Sequence, residues 1–250
     1  MTDVTVSGER LVEMIAAMKS SDSVEFKQTI REMGVQKAGD SLGFDPIEAQ
    51  IRQIVFFDTP DMTLYHAGVV ARARRIQGGD GDSVIKLRPV NPSDLDPEVS
   101  GSKHFGVETD VMPNGFVCSG SMKHETSADH VQDVLFKRKP IKSIFSKEQR
   151  RLFKAYAPKG MRLNELEVLG PVFVLKLKSE LADFERKIVA EVWIYPDGST
   201  VLELSTKSPP DEAFQVAAEF KAELITHGVD LSVEQATKTK TALEYFTANL

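Results

Sequence analysis

Much of this chain alternates between apolar and polar residues with a period of two. In SVEFKQTI (23–30), Val24, Phe26 and Gln28 fall on one side and Ser23, Glu25, Lys27 and Thr29 on the other, which predicts a strand with one apolar and one charged face. IRQIVFFD (51–58) predicts a second strand, closed by Thr59-Pro60. A hairpin follows, in which Ala71 and Ala73 alternate with Arg72 and Arg74, and Ile85 and Leu87 alternate with Lys86 and Arg88. GGDGD between the two halves carries the Gly and Asp that a tight turn demands. HFGVETDVM (104–112) is a further strand with Glu108 and Asp110 on one face. Strands are also expected at 163–168, 172–179 and 186–195, the last turning at PDGS (196–199) into VLELSTK (201–207).

Helical spacing marks 7–20, with Ser7 as N-cap and Leu11, Ile15 and Met18 on one face. It also marks 211–227, stopped at Gly228, and 232–247. Residues 126–155 read as helical and rich in Lys and Arg, broken at Pro140. The Gly- and Pro-bearing stretch 31–47 reads as an irregular connection and 91–103 as a polar surface loop. No repeat with a period of tens of residues is visible.

Five strands share one habit, a charged or polar residue on either side of an apolar one. They are Glu25-Phe26-Lys27, Arg72-Ala73-Arg74, Lys86-Leu87-Arg88, Lys176-Leu177-Lys178 and Glu203-Leu204-Ser205. A two-layer sheet would show such a face to water. A closed barrel would turn it inward and cover its apolar outside with helices, leaving a tunnel lined by Arg, Lys and a few carboxylates. Such a tunnel suits a compact polyanion with its divalent metal, because Arg takes phosphate oxygens bidentately and carboxylates hold Mg²⁺.

Composition narrows the field. The 250 residues, 41% hydrophobic and 27% charged, are ordinary for a globular chain, and a single domain over 1–250 is expected. A formal net charge of −6 argues against general nucleic-acid or anionic-membrane binding. With Cys118 as the sole cysteine, neither an intramolecular disulfide nor a thiolate metal cluster can form, which suits the cytoplasm. No signal pattern or membrane-spanning apolar run is visible. Cys118 itself reads as inert within a Gly/Ser-rich loop.

The order of these elements resembles the CYTH, or triphosphate tunnel metalloenzyme, superfamily. The early E-F-K strand, FFDTPDMTLYHAG (56–68), the R-A-R strand and the K-L-R strand carry the likeness, and FDTP…L…AG…R-A-R (57–74) is its most specific part. It is clear over about 23–110 and looser over 172–207, whereas 113–165 is unmatched. The resemblance implies an α+β fold, an antiparallel eight-stranded β-barrel tunnel with helices packed outside. It implies a small-molecule triphosphate or polyphosphate ligand, and hydrolysis with Mg²⁺ or Mn²⁺. An impaired polyphosphate- or nucleotide-binding module and a class IV adenylate cyclase-like enzyme are the alternatives.

Residue by residue, the resemblance places Arg72, Arg74, Lys86, Arg88, Lys176 and Lys178 at phosphate-binding positions. Glu25 and Glu203 fall at metal-binding positions and Lys27 at a catalytic one. The first-strand signature Glu-x-Glu-x-Lys is here Ser23-Val24-Glu25-Phe26-Lys27, and the later Glu-x-Glu is Glu203-Leu204-Ser205. One carboxylate is thus missing from each pair, and Glu108, Asp110 and Glu191 are candidate replacements or cross-strand partners for tunnel cations. The five histidines show no close pair at metal-ligand spacing. The basic segment 137–151 reads as a solvated helix face, with nucleic-acid or polyphosphate contact as the alternative. Glu165 and Glu167 would share a strand face, and Trp193 and Tyr195 fall on the face of Glu191, where they would either stack on a base or simply pack.

Overall fold

The computed structural model describes residues 8–30, 39–181, 184–231 and 237–250. Its strands are β1 (Ser23–Ile30), β2 (Gln50–Asp58), β3 (Val69–Ile76), β4 (Gly81–Leu87), β5 (Phe105–Met112), β6 (Gly115–Thr126), β7 (Glu167–Leu181), β8 (Phe184–Ile194) and β9 (Thr200–Ser208). They close in the order β1-β5-β6-β4-β3-β2-β7-β8-β9, with β9 pairing back onto β1. Every neighbouring pair is antiparallel except β1 with β5, which run parallel. The barrel is therefore nine-stranded and mixed, in place of the eight antiparallel strands that the resemblance implies.

The strands expected from the sequence omit β6, which the hydrophobic pattern hides. FVCSGSMKHE is small and polar enough to pass for a loop, yet it pairs with β4 on one side and β5 on the other. Its outer face needs a small residue: a Cβ at Gly120 would lie 2.3 Å from the Phe105 ring. Cys118 therefore sits buried on a strand, not in a loop. Two further readings change. Residues 163–168 and 172–179 are not two strands: a single turn at Leu163–Glu165 leads into one long strand, β7, whose register with β2 shifts around Gly170-Pro171. Glu165 thus lies in that turn, paired with Arg162, while Glu167 on the strand pairs with Lys137. The segment 126–155 is not one broken helix but the end of β6, α2 (Ala128–Leu135), a short turn at Ile141–Ile144 and α3 (Lys147–Tyr156).

Helix α1 (Gly8–Lys19) begins as the periodicity predicts, although its expected cap, Ser7, lies outside the described residues. Helices α4 (Ala213–Thr226) and α5 (Lys238–Thr247) follow, beside single helical turns at Thr63–His66 and Pro97–Ser100; residues 232–236 of the expected last helix and 31–38 of the expected connection also lie outside the described residues. No helix among the described residues is long and apolar enough to cross a membrane.

Residues paired across a ladder share a sheet face, so the registers sort the barrel into an outside and an inside. Val55, Phe57, Ala71, Ala73, Ile85 and Leu87 form one buried cluster with Val131 and Val134 of α2 and Leu152 and Phe153 of α3. Val24, Phe26, Ile188, Leu202 and Leu204 form another with Met18 of α1 and Val216, Phe220 and Leu224 of α4. The apolar faces therefore point outward beneath helices, and the charged faces point in. A third cluster breaks the pattern: Ala242 and Leu243 of α5 pack on the inward-facing Ile54, Phe56, Val172, Val174 and Trp193. Helix α5 thus covers the end of the barrel where β8 turns into β9.

Gln149 anchors α3 to the barrel. Its amide donates to the carbonyls of Ser83 and Met122 (2.9 Å each) and its oxygen accepts from the Ser83 hydroxyl (2.9 Å), all fully buried. The same oxygen accepts from the Ser146 N–H in a capping box that starts the helix. Gln149→Ala strands two buried carbonyls, so a loss of about 3 kcal/mol is expected in urea unfolding. A loss below about 0.5 kcal/mol would mean that water replaces the amide.

Candidate functional site

Alternation along β3 and β4 carries Arg72, Arg74 and Lys86 to the inner face, and Arg88 follows one residue beyond the end of β4. Lys176 and Lys178 on β7 join them through the pairing of Lys176 with Glu191, although Lys178 is exposed. Arg52 adds a cation that the pattern of charged triplets passed over; its place two residues before Ile54 on β2 was the signal for it. The inner wall is therefore strongly basic in a chain whose net charge is negative.

The cations are not equivalent. Arg74 is held by Asp82, its Nε 2.8 Å from one carboxylate oxygen, and Lys123 adds a longer contact at 3.5 Å. Asp82 sits directly across the ladder from Arg74 and is buried, so the residue expected to serve only the turn is the arginine's counterion. Arg72 makes no hydrogen bond or ion pair within 4 Å among the described residues, and its Nε is buried without a partner. Burial, and then Arg74, push its guanidinium down to about 10. A desolvated guanidinium without a counterion is costly unless an anion meets it.

The carboxylates gather at one point on the opposite wall. Parallel pairing of β1 with β5 sets Glu25 beside Asp110 and Ser23 beside Glu108. One oxygen each of Glu25, Glu108 and Asp110 lie within 4.8 Å of one another, so these residues could hold a metal ion. Three carboxylates are the hard oxygen donors that Mg²⁺ or Mn²⁺ prefer, and the donor set fits. Ser23 leaves its expected carboxylate unfilled on β1, but its hydroxyl donates to Glu108 at 3.3 Å, and Glu108 brings a carboxylate to the same place from the next strand. Glu203 stands apart from this group: its Oε1 is 2.6 Å from Lys238. Glu191 is shared between Lys176 (3.4 Å) and Lys238 (3.5 Å). Ser205 is buried across from Lys27.

Lys27 bridges the cluster, 2.9 Å from Glu25 and 2.7 Å from Asp110. Burial alone would lower its pKa, but the two carboxylates outweigh it and hold the ammonium charged well above the ordinary lysine range. Burial pushes Asp110 the other way, yet Lys27, Lys86 and Arg88 keep its carboxyl at about 2. Arg88 lies 3.1 Å and Lys86 3.9 Å from that carboxylate. Glu25 is held below its usual value by Lys27 and Lys207 against the effect of burial. Lys207, missed in the sequence, also pairs with Glu108.

Lys86 offers a pH signature. Burial, reinforced by Lys27, Arg88 and Arg72 and opposed by Asp110, lowers it to about 8. Below that pH the amine is charged and ready for an anion; above it, binding must take up a proton. The advantage of wild type over Lys86→Met in metal-free tripolyphosphate affinity is therefore expected to fall above about pH 8, by up to tenfold per pH unit. Titration calorimetry in buffers of different ionisation enthalpy checks this, since above pH 8 the wild type should take up more protons on binding than Lys86→Met. At pH 6.5 the two should agree, the proton exchange of the ligand's own terminal phosphates being common to both.

The most specific stretch of the resemblance proves to be architectural. Asp58 is buried and accepts from the N–H groups of Thr59 (2.7 Å), Leu64 (2.9 Å) and Tyr65 (2.9 Å), closing the turn that joins β2 to β3. It builds the wall that presents Arg72 and Arg74. Trp193 faces inward as expected, but it is buried under Lys238, 4.8 Å from its ring. Tyr195 donates to the carbonyl of Lys238 at 3.2 Å.

No family model and no curated protein matches the sequence. Solved structures do match the fold. One is a candidate adenylyl cyclase from Hippeastrum, described as having a dominant triphosphatase activity, with a TM-score of 0.64 at 15% identity over 89% of this chain and 95% of that one. A second is a candidate adenylate cyclase from Bacillus halodurans, with a TM-score of 0.60 at 12% identity over 88% and 97%. At such identities the likeness is one of fold, and the fold is CYTH-like.

Proposed function

We propose that this chain binds a small triphosphate-containing molecule inside the barrel and hydrolyses a phosphoanhydride bond in it with the help of a divalent metal. The observation that carries this reading is Arg72, a desolvated inward guanidinium with no counterion among the described residues. A ligand with several anionic oxygens supplies what the wall lacks, and Arg72, Arg74, Lys86, Arg88, Lys176 and Lys178 would divide those oxygens among them.

Glu25, Glu108 and Asp110 would hold the Mg²⁺ or Mn²⁺, which when bound would neutralise phosphate oxygens and acidify a coordinated water. Lys27 already touches Glu25 and Asp110, so its Nζ is placed to donate to an oxygen of the leaving phosphate as charge develops there. Arg72 and Arg74 would clamp the phosphate chain from the facing wall and fix its direction. The covered end of the barrel limits access of bulk water from that side. A cyclase reading requires a platform for a base, and of the inward rings Phe56 is packed under α5 and Trp193 is taken by Lys238.

The test is phosphate release from tripolyphosphate, nucleoside triphosphates and thiamine triphosphate, with Mg²⁺ or Mn²⁺ and with chelator. Release that stops in chelator is the expected result. A folded protein that binds tripolyphosphate and releases nothing would leave a binding module. Formation of a cyclic nucleotide from ATP would replace hydrolysis with cyclisation.

A further inference from the structure

Glu191 and Glu203 stand directly opposite each other on β8 and β9, both facing into the barrel. Two carboxylates so placed repel unless a cation lies between them. Lys176 of β7 pairs with Glu191 at 3.4 Å, and the cation that both acids share comes from α5. Lys238, the first residue of α5, reaches 2.6 Å from Glu203 and 3.5 Å from Glu191, and its side chain is only 12% exposed. Its ammonium also lies 4.8 Å from the centre of the Trp193 ring, and Trp193 Nε1 donates to Glu191 at 3.4 Å. The helix start that carries it is tied down by Tyr195 and by the packing of Ala242 and Leu243. The partially positive N-terminus of α5 adds to the attraction for these acids.

We propose that Lys238 is a tethered substitute for a metal ion: it occupies the cation position of the Glu191–Glu203 pair, so that this barrel takes a divalent ion only at Glu25, Glu108 and Asp110. The proposal deepens the functional reading, since it sets how much metal the same interior takes. A lysine held on a helix cannot exchange with bulk Mg²⁺ or bring a coordinated water. Glu203, a metal-binding position by resemblance, thereby becomes part of a latch that holds α5 over the end of the barrel.

Mn²⁺ binding to the whole chain, without any phosphate ligand, tests the stoichiometry by calorimetry and by electron paramagnetic resonance of free Mn²⁺. The wild type and Lys238→Arg are expected to bind equal amounts, and Lys238→Met to bind one further ion. That further ion should disappear in Lys238→Met with Glu203→Gln. Equal binding by Lys238→Met and wild type would overturn the proposal. Glu203→Gln alone gives a test that does not depend on the stability of the Lys238 variant. It should leave wild-type Mn²⁺ affinity within about twofold, and a tenfold loss would show that Glu203 is a metal ligand after all. A wild type that binds no Mn²⁺, beside a Lys238→Met that binds one ion, would sink the metal part of the functional reading and leave the role of Lys238 standing.

Discussion

Arg72→Ala is expected to weaken tripolyphosphate binding by about 10- to 100-fold while raising the melting temperature. The two effects share one cause. Arg72 is desolvated, has no counterion among the described residues, and lies near the cation of Arg74, so its charge is a cost until an anion meets it. With the anion present, the same guanidinium makes charge-assisted hydrogen bonds worth about 1.5–3 kcal/mol, which is the stated loss of affinity. Arg74→Ala should behave in the opposite way for stability. It leaves the buried Asp82 with only the longer contact from the exposed Lys123, a loss of about 3 kcal/mol or more. Thermal melts and binding isotherms of the two variants separate a cation that lacks a counterion from one already paired. Unchanged affinity in Arg72→Ala would place the anion elsewhere, and a lowered melting temperature would make Arg72 a structural residue.

Glu25→Gln and Glu108→Gln are each expected to cut metal-dependent phosphate release on the order of 100-fold or more and to weaken Mn²⁺ binding, with the fold intact. Neither removal strands a cation: Lys27 keeps Asp110, and Lys207 keeps Glu25 nearby. Asp110→Asn is different. It leaves Lys27, Lys86 and Arg88 crowded without their shared carboxylate, so it should destabilise the chain by several kcal/mol besides losing metal. Its pH signature follows from a folded pKa of about 2, below the ordinary carboxylate value. The stabilisation from Asp110 is fully present above about pH 4 and is lost as the pH falls toward 2. Acid titrations of wild type should show that loss and those of Asp110→Asn should not. Full turnover in both glutamine variants would move the metal off β1 and β5.

The sequence by itself determined which residues face the same way. The period of two along a strand is a local property, so Arg72 with Arg74, Lys86 with Arg88, and Glu25 with Lys27 could be assigned to one face before any partner strand was known. The repetition of that habit pointed to a barrel with a polar inside, and the FDTP stretch pointed to the fold. What that stretch does was not legible, because the acceptors and donors of an Asp turn and of a ligand site are the same atoms.

Only the tertiary structure decided which charges meet. Asp110 gathers Lys27 because β1 runs parallel to β5, a pairing between segments more than 80 residues apart, and Lys86 and Arg88 because β4 reaches it across β6. That pairing also brings Glu108 to the place Ser23 leaves short. β6 escaped notice because its small residues follow from the close approach of Phe105, a contact that no single segment encodes. Lys238 gave no signal at all: a lysine opening a helix is ordinary, and its meaning depends on where α5 docks. Facing is set by backbone geometry within a strand, whereas ion pairing is set by closure of the barrel. The first is written locally; the second exists once distant strands and the last helix have packed.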